Sequence, residues 1–368
     1  MTRWEAFTTI CSYLRAGLLG GERQPKRDTV WELIIEVASF HYVTTAIGGC
    51  LSTDTDVPPD VRNYFESAVA LNMQRNEQML SGLARVANLL NAIGIEPLLL
   101  KGAAYLVEGI YSDPALRILG DVDILIPASR STEVVAALQA AGFGAKSSDV
   151  FLPPSHHHLP MLHDPETHMG VELHTDVISW SADHVISTAW FCERTRPALF
   201  RNQRVQLPEP TRNAGHTIFH SEILHGLYGL NKIQLRHLLD LALIRARHQR
   251  AIDWGELDHR FSAAGFGEVL ATYLHFSDEL LGQSAPKLSH APRKDAMAEL
   301  RSVESRDSFQ FKIESLKKTC DNLQTALSLM TVDRDRLQTE LDNVTRSRSW
   351  RLTGPLRTII AALRRWLR

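Results

Sequence analysis

The chain has 368 residues, of which 44% are apolar and 22% are charged, and its formal net charge is −2. This predicts a soluble protein with a sizeable core and room for two domains, and the near-neutral charge gives no support for a nucleic-acid partner. Four scattered cysteines without a C-x-x-C pair argue against a disulfide framework and against a cysteine zinc site. We find no signal peptide and no apolar stretch of the roughly 18–20 residues that span a bilayer, and we expect a cytoplasmic protein.

The first 93 residues are predicted to be helical. One apolar helix face is defined by Trp31, Ile34, Ile35, Ala38 and Tyr42. A loop with two prolines then leads to a long helix, which Asp60 would cap and Gly94 would end. We expect these helices to act as a packing layer and a lid, without chemistry of their own.

The segment from Leu98 to Ile126 has the most informative order of features. It contains a short apolar run, the pair Lys101-Gly102, a helical segment, a turn, and a second apolar run that begins with D-V-D. Because residues two apart in a strand face the same side, Asp121 and Asp123 should project together. Their repulsion is relieved if water or a divalent cation lies between them. A solvated strand end is the alternative for an isolated D-x-D.

A strand, a Lys-Gly turn, a helix and a second strand with D-x-D together resemble the core of the DNA polymerase β-like nucleotidyltransferase superfamily. The pattern L-K-G followed by R-x-x-x-D-x-D-I-L-I is similar to the uncharacterised bacterial nucleotidyltransferases, where Lys-Gly replaces the Gly-Gly or Gly-Ser of many relatives. The resemblance covers roughly residues 30–280. It implies an α+β fold with a small mixed sheet, an NTP as substrate, and Mg²⁺ or Mn²⁺ as cofactor.

The predicted nucleotide-binding residues are Lys101, Gly102 and Arg117, and the resemblance implies this role for Lys101 and Gly102. Gly102 would let backbone N–H groups approach a triphosphate at a helix N-terminus, where the helix dipole also favours anions. Lys101 would add a positive charge. Arg117, four residues before Asp121, could pair with a carboxylate or with a phosphate. Exposed surface positions are the alternatives for both cations.

Two-metal phosphoryl transfer needs a third carboxylate beside the D-x-D pair. Residues 156–176 predict a hairpin that turns at Asp164-Pro165-Glu166. On its second strand Glu172, His174 and Asp176 share one face. Glu172 matches the position that the resemblance implies, although Asp176 could substitute for it, and His174 is a candidate substrate contact. The predicted catalytic and metal-binding residues are Asp121, Asp123 and Glu172.

The same hairpin is rich in histidine. Its histidines are His156, His157, His158, His163, His168 and His174. They suggest a zinc site, but zinc sites usually show a defined two-plus-two spacing. We therefore favour a polar loop over a metal site for this segment.

After a linker with Pro197, Pro208 and Pro210, residues 211–283 predict a helical domain, which the resemblance also implies. Arg236 and Asp240 lie at the spacing i, i+4, so we expect a structural ion pair or a wall of the nucleotide cleft that contacts substrate. His216 and His220 share this spacing but lack the glutamate of an H-E-x-x-H motif. They are predicted to be helix-face or cleft residues and not metal ligands.

The C-terminal part changes in composition. Residues 284–308 are polar and contain prolines, which predicts a linker. Between residues 309 and 345 apolar residues alternate at spacings of four and three, which predicts a left-handed coiled coil broken only by Arg334. We expect homo-oligomerisation through residues 309–344. A single helix lying on the globular body is the alternative.

The last segment, residues 346–368, is basic and amphipathic. Its S-R-S-W-R-L-T-x-P-L-R resembles a tail motif of bacterial glycosyltransferases and other surface-polysaccharide proteins. After Pro355 the apolar residues and the arginines lie largely on opposite sides, as in an interfacial membrane helix. We expect residues 355–368 to contact an anionic membrane surface from the cytoplasmic side. A solubilising tail or a nucleic-acid arm is the alternative.

The predicted activity is transfer of an NMP group from an NTP to an unknown acceptor, with release of pyrophosphate. A D-x-D also occurs in GT-A glycosyltransferases, but no doubly wound βαβ series precedes it here. A non-catalytic, membrane-associated scaffold is a further alternative, against which the presence of all three acids argues. The predicted segments are 1–93 (helical region), 94–210 (catalytic core), 211–283 (helical domain), 284–308 (linker), 309–345 (coiled coil) and 346–368 (tail).

Overall fold

The computed structural model describes residues 1–22, 29–52, 54–145, 157–178 and 185–305. The chain divides into two units, Met1–Ser305 and Arg306–Arg368. The predicted coiled coil and basic tail lie outside the described residues, so these two assignments stay predictions. Within the described part, no helix combines the length and the apolar character needed to cross a membrane.

Helices dominate the N-terminal region, as predicted. They are α1 (Arg3–Leu18), α2 (Trp31–Phe40), α3 (Thr44–Leu51) and α4 (Pro59–Ala92). The first begins with a capping box in which Thr2 and Glu5 satisfy each other's backbone N–H groups. Asp60 does not cap α4: Pro58 occupies the N-cap without a side-chain hydrogen bond, and the helix starts at Pro59.

The middle of α4 buries two amide side chains. Met73 is 45% exposed, whereas Asn72 and Asn76 are buried. Both amides donate hydrogen bonds to the carbonyl oxygen of Arg117, at 3.1 and 2.7 Å. Further donation to the carbonyls of Ala115 and Pro114 fixes the loop that leads to the D-x-D segment. The helix therefore positions this loop by buried hydrogen bonds.

Tyr42 lies beyond the end of α2 in the left-handed conformation, with φ of +54°. Glycine usually occupies this place in the helix-ending motif, in which the next residue, Val43, donates back to Ala38 at 2.9 Å. A left-handed conformation costs a side-chain-bearing residue roughly 1–2 kcal/mol. The Arg236 guanidinium lies 5.0 Å from the ring centroid, and such a cation–π contact returns about 0.5–2 kcal/mol, the higher value when the cation is desolvated. The predicted core position of Tyr42 is wrong, because the residue is 51% exposed.

A mixed six-stranded sheet with flanking helices confirms the predicted α+β class. Its strands are β1 (Leu98–Leu99), β2 (Val122–Leu125), β3 (Leu162–His163), β4 (Gly170–His174), β5 (Thr195–Phe200) and β6 (Gln203–Pro208). Their order is β3-β4-β2-β1-β6-β5. The β2–β4 and β1–β6 pairs are parallel and the others antiparallel. The predicted hairpin is β3–β4, and the central strands β1 and β2 are fully buried.

The predicted proline linker near Pro197 is instead the β5–β6 hairpin. Arg201 and Asn202 form its turn, and both have positive φ angles, 47° and 65°, which suits a two-residue hairpin turn. Pro197 is tolerated because β5 is the edge strand of the sheet. Prolines alone therefore gave a misleading signal here.

Shorter helices connect and cover the sheet. They are α5 (Lys101–Glu108), α6 (Ser131–Ala140) and α7 (Thr188–Glu193), together with short 3₁₀ turns at Pro114–Leu116 and Ala128–Arg130.

The predicted C-terminal helical region is present. Its helices are α8 (Pro210–Phe219), which continues as a π-helical turn (His220–Leu224), α9 (Leu235–Arg247), α10 (Trp254–Ala263), α11 (Gly267–Leu281) and α12 (Ala296–Glu304), with a 3₁₀ turn at Tyr228–Leu230. The last helix lies inside the segment predicted as a linker, 284–308. Leu300 is fully buried, and Glu304 accepts a hydrogen bond from His41 at 3.2 Å. This part of the predicted linker therefore belongs to the folded unit.

Candidate active site

One pocket of about 720 Å³ collects most of the predicted site residues. It lies where the D-x-D segment, the start of α5, β4, the α8 region and α9 meet. The predicted site residues that line it are Lys101, Gly102, Arg117, Asp121, Asp123, Glu172, Arg236 and Asp240. His174 is fully buried behind this surface, in contact with Asp123. Residues far apart in sequence thus meet at one site.

The register of two parallel strands brings two predicted acids side by side. Asp123 of β2 pairs with Glu172 of β4, so their side chains lie on the same face of the sheet. Asp121 precedes β2 and lines the same pocket. Asp176, the alternative third acid, is exposed and accepts a hydrogen bond from Thr188 at 3.0 Å. The geometry therefore favours Glu172 over Asp176 as the neighbour of Asp123.

His174 completes a compact group with these acids. Its Nε2 lies 2.9 Å from Asp123 Oδ1 and 3.6 Å from Glu172 Oε2. Ligand atoms of Asp123, Glu172 and His174 all lie within 4.8 Å of one another, a spacing that could hold a metal ion. Two carboxylates and an imidazole fit a divalent cation, and the nitrogen donor suits Mn²⁺ or a later transition ion. The motif V-E-L-H already carried this signal, since residues two apart share a face.

The other histidines of the hairpin contribute less to the candidate metal site than their number suggested. The rings of His157 and His158 lie close to that of His174, with each centroid distance equal to 5.3 Å. His158 Nε2 is 3.8 Å from Glu172 Oε2. His156 lies outside the described residues. Among those described, His174 is the histidine in the group that could hold a metal.

Lys101 faces the carboxylates. Its Nζ lies 2.7 Å from Asp123 Oδ1, and its backbone has a φ of +47° at the start of α5. Burial alone would lower the pKa of Lys101, but Asp123 outweighs it and the pKa is raised. The lysine is therefore charged and supplies the local counter-charge. Its predicted contact with phosphate stays a prediction.

The acids differ in their protonation. Burial, followed by repulsion from Asp123 and Glu172, raises the pKa of Asp121 to about 6. Burial also disfavours ionised Asp123, but Lys101 and His174 outweigh it and hold the pKa well below its usual range. The group thus carries negative charge that one lysine only partly balances, an environment that favours a divalent cation.

Arg117 and Asp240 form a buried ion pair in the wall of the pocket. Nε and Nη2 of Arg117 contact the two carboxylate oxygens, each at 2.9 Å, and the Tyr111 hydroxyl donates to Oδ1 at 2.6 Å. The predicted ion pair between Asp240 and Arg236 is therefore wrong, because Asp240 pairs with Arg117. Arg236 instead donates to His237 Nε2 at 3.2 Å and covers the Tyr42 ring. Substrate contact by Arg236 and Asp240 stays a prediction.

Gly102 is required by this arrangement. A Cβ at this position would lie 2.2 Å from Arg117 Nη1 and 2.5 Å from Leu119 Cδ1, closer than real contacts allow. The glycine thus lets the guanidinium pack against the start of α5. The sequence predicted the glycine's importance from phosphate approach, and the described contacts add this packing reason.

Four histidines with lowered pKa values also line the pocket. They are His216, His220, His225 and His237. Burial, followed by the charge of Lys101, lowers the pKa of His216 to about 3 and that of His220 well below its usual range. His216 Nε2 is buried without a hydrogen-bond partner among the described atoms, so it can accept one from a ligand. His216 and His220 lie in the cleft, as expected, and the sequence did not single out the other two.

Comparison with known families places the chain. A family model described as "Uncharacterised nucleotidyltransferase" matches residues 27–282, more than half of the sequence. The chain belongs to this family. The matched residues include every acid and cation of the pocket, so the uncharacterised nucleotidyltransferases share the segment that builds this site.

An antigenic nucleotidyltransferase-like protein from Paracoccidioides brasiliensis is similar in structure, with 15% sequence identity and a TM-score of 0.36 over 60% of this chain and 96% of that chain. No curated protein matches the chain.

Proposed function

We propose that the protein transfers an NMP group from an NTP to an acceptor, by attack on the α-phosphate with release of pyrophosphate. The observation that most supports this is the side-by-side placement of Asp123 and Glu172, with Asp121 and Lys101 in the same pocket. Family membership supports nucleotidyl transfer as the general activity.

Asp121, Asp123 and Glu172 would hold divalent Mg²⁺ or Mn²⁺, with His174 as an additional nitrogen donor or as the group that orients Asp123. When bound, such an ion neutralises the triphosphate and lowers the pKa of an attacking hydroxyl. The His174 Nε2–H, 2.9 Å from Asp123 Oδ1, keeps that carboxylate oriented and ionised. Phosphoryl transfer relies mostly on positioning and electrostatics, so no covalent nucleophile is required.

Lys101 would contact the β- and γ-phosphates, together with backbone N–H groups at Gly102. Its ammonium already lies at the pocket surface beside Asp123. Arg117 acts through Gly102: its guanidinium is tied to Asp240 and packs where a Cβ would otherwise project. We therefore assign Lys101 to phosphate binding, and Arg117 and Asp240 to positioning of the phosphate-binding turn.

The C-terminal region suggests self-association and membrane contact. We expect homo-oligomerisation through residues 309–344 and contact of residues 355–368 with an anionic membrane surface. Sedimentation of the full chain tests the first proposal, and flotation with anionic against neutral vesicles tests the second.

The test of the function is calorimetric titration of each NTP, with and without Mg²⁺ or Mn²⁺, into wild type and into Asp121→Ala/Asp123→Ala. A pyrophosphate-release assay accompanies it. Metal-dependent NTP binding that disappears in the double variant is the expected result. Binding of nucleotide sugars in place of NTPs, or of neither, would contradict the proposal.

A further inference from the structure

One aromatic side chain lines the pocket without being explained by the acids. Tyr42 projects from the segment between α2 and α3, is 51% exposed, and lines the same pocket as Lys101 and Asp123. The Arg236 guanidinium lies over its ring at 5.0 Å from the centroid. About half of the residue's surface remains exposed.

The backbone around Tyr42 is held in place by the start of α9. The Arg236 N–H donates to the His41 carbonyl at 3.3 Å, and the Leu235 N–H donates to His41 Nδ1 at 3.4 Å. Because Nδ1 accepts, the opposite ring nitrogen carries the proton and donates to Glu304 at 3.2 Å. These contacts of His41 help to hold the adjoining backbone, and with it the left-handed conformation of Tyr42, in place.

The fold does not need this ring. A glycine at position 42 would keep the helix-ending hydrogen bonds and remove the strain of a positive φ. The contact with Arg236 is of the same order as that strain, so the ring brings no large surplus of stability to the fold. A strained, exposed aromatic residue at a pocket therefore points to a ligand that uses the ring.

Ring and guanidinium together match a planar, π-rich group. Nucleobases stack on aromatic side chains and on arginine planes, with little dependence on which base is present. We propose that Tyr42, backed by Arg236, is the stacking platform for the base of the nucleotide. This assignment rests on the proposed function, because the phosphates of the same nucleotide would lie at Lys101 and the acids.

The experiment compares a ligand with a base and one without. Non-hydrolysable α,β-methylene analogues of the four NTPs, and inorganic tripolyphosphate, are titrated with Mn²⁺ into wild type, Tyr42→Gly and Tyr42→Phe. Tyr42→Gly is expected to lower the affinity for the nucleotide analogues roughly tenfold or more and to leave the affinity for tripolyphosphate unchanged. Tyr42→Phe keeps the ring and is expected to bind all of them as wild type does. The Tm of Tyr42→Gly should equal or exceed that of wild type.

Asn231→Gly is the matched control, because Asn231 also has a φ of +54° and does not line the pocket. Asn231→Gly should leave the affinity for the analogues and for tripolyphosphate unchanged. If Tyr42→Gly binds the analogues as tightly as wild type, the stacking assignment fails and the proposed function stands. Equal loss of tripolyphosphate, or a lowered Tm, would show a structural role and also overturn the assignment. Wild type that binds no analogue would overturn the proposed function, and this inference with it.

Discussion

Arg117 and Asp240 join the loop before β2 to helix α9 through two parallel hydrogen bonds of 2.9 Å. Both side chains are buried, and the Arg117 guanidinium also lies 5.1 Å from the centroid of the Tyr105 ring. Because Gly102 packs against this guanidinium, the pair connects the helical region with the phosphate-binding turn. The ion pair therefore links stability to the geometry of the site.

Removing one charge of this pair should be costly. In Asp240→Asn the buried guanidinium loses its counter-charge, and we expect the free energy of unfolding to fall by about 3–5 kcal/mol. Urea denaturation measures this loss. Tyr111→Phe is the control, since it removes one neutral donor but keeps the charge pair, and a smaller loss of about 1.5–3 kcal/mol is expected. Equal losses in the two variants would contradict a dominant role for the charge pair.

Gly102→Ala should disturb the same contact from the other side. The added Cβ would meet Arg117 Nη1 and Leu119, so the guanidinium or the start of α5 must move. We expect a lower Tm and weaker NTP binding, by thermal unfolding and calorimetry. Gly229→Ala is the matched control, because a Cβ at position 229 would meet no atom within 4 Å. Unchanged stability and NTP affinity in Gly102→Ala would refute the packing account.

Removing the charge of Lys101 should have opposite effects on the binding of free Mn²⁺ and on the binding of NTP–Mn²⁺. Its ammonium competes with a cation for Asp123, so Lys101→Met should bind Mn²⁺ roughly tenfold more tightly in the absence of nucleotide. The same variant should bind NTP–Mn²⁺ more weakly, because the phosphates lose a positive partner. Titration of Mn²⁺ by electron paramagnetic resonance measures the first effect and calorimetry the second. Weaker Mn²⁺ binding in the variant would contradict the competition.

Glu222 should give the stability a pH dependence. It is buried, with a hydrogen bond from Ser221 at 2.8 Å, and burial raises its pKa to about 8 from the ordinary 4.5. Between these values the folded state keeps a proton that the unfolded state releases, so stability falls as the pH rises through this window. Glu222→Gln should therefore be more stable than wild type at pH 8 and similar to it near pH 4.5.

Chemical denaturation at several pH values measures this dependence. The slope for a single group is at most about 1.4 kcal/mol per pH unit within the window. Glu66→Gln, at an exposed position of α4, serves as the control and should leave the pH dependence unchanged. A Glu222→Gln variant less stable than wild type at pH 8 would show that the carboxylate is ionised and stabilising.

The local motif was predictable, and the long-range contacts were not. Sequence spacing predicts that Asp121 and Asp123 face the same side and that Glu172 lies on a strand. The register of β2 and β4 then places Glu172 beside Asp123. The partner of Asp240 lies 123 residues away, so the local spacing to Arg236 suggested the wrong pair. Local sequence rules cannot identify such a partner.

Two further misses have physical reasons. Tyr42 follows the apolar spacing of α2, but that helix ends at Phe40, and Tyr42 itself is left-handed and lines the pocket. The β5–β6 hairpin was hidden by its prolines, which an edge strand tolerates. In both cases tertiary context decided a position whose local pattern favoured another structure.

The most direct test compares Glu172→Gln with Asp176→Asn. Both substitutions remove one carboxylate from the same segment, but only Glu172 lies beside Asp123. Calorimetric titration of the α,β-methylene NTP analogues with Mn²⁺ should show metal-dependent binding in wild type and Asp176→Asn, and its loss in Glu172→Gln. Retained binding in Glu172→Gln together with loss in Asp176→Asn would contradict the metal-dependent nucleotidyltransferase site described above.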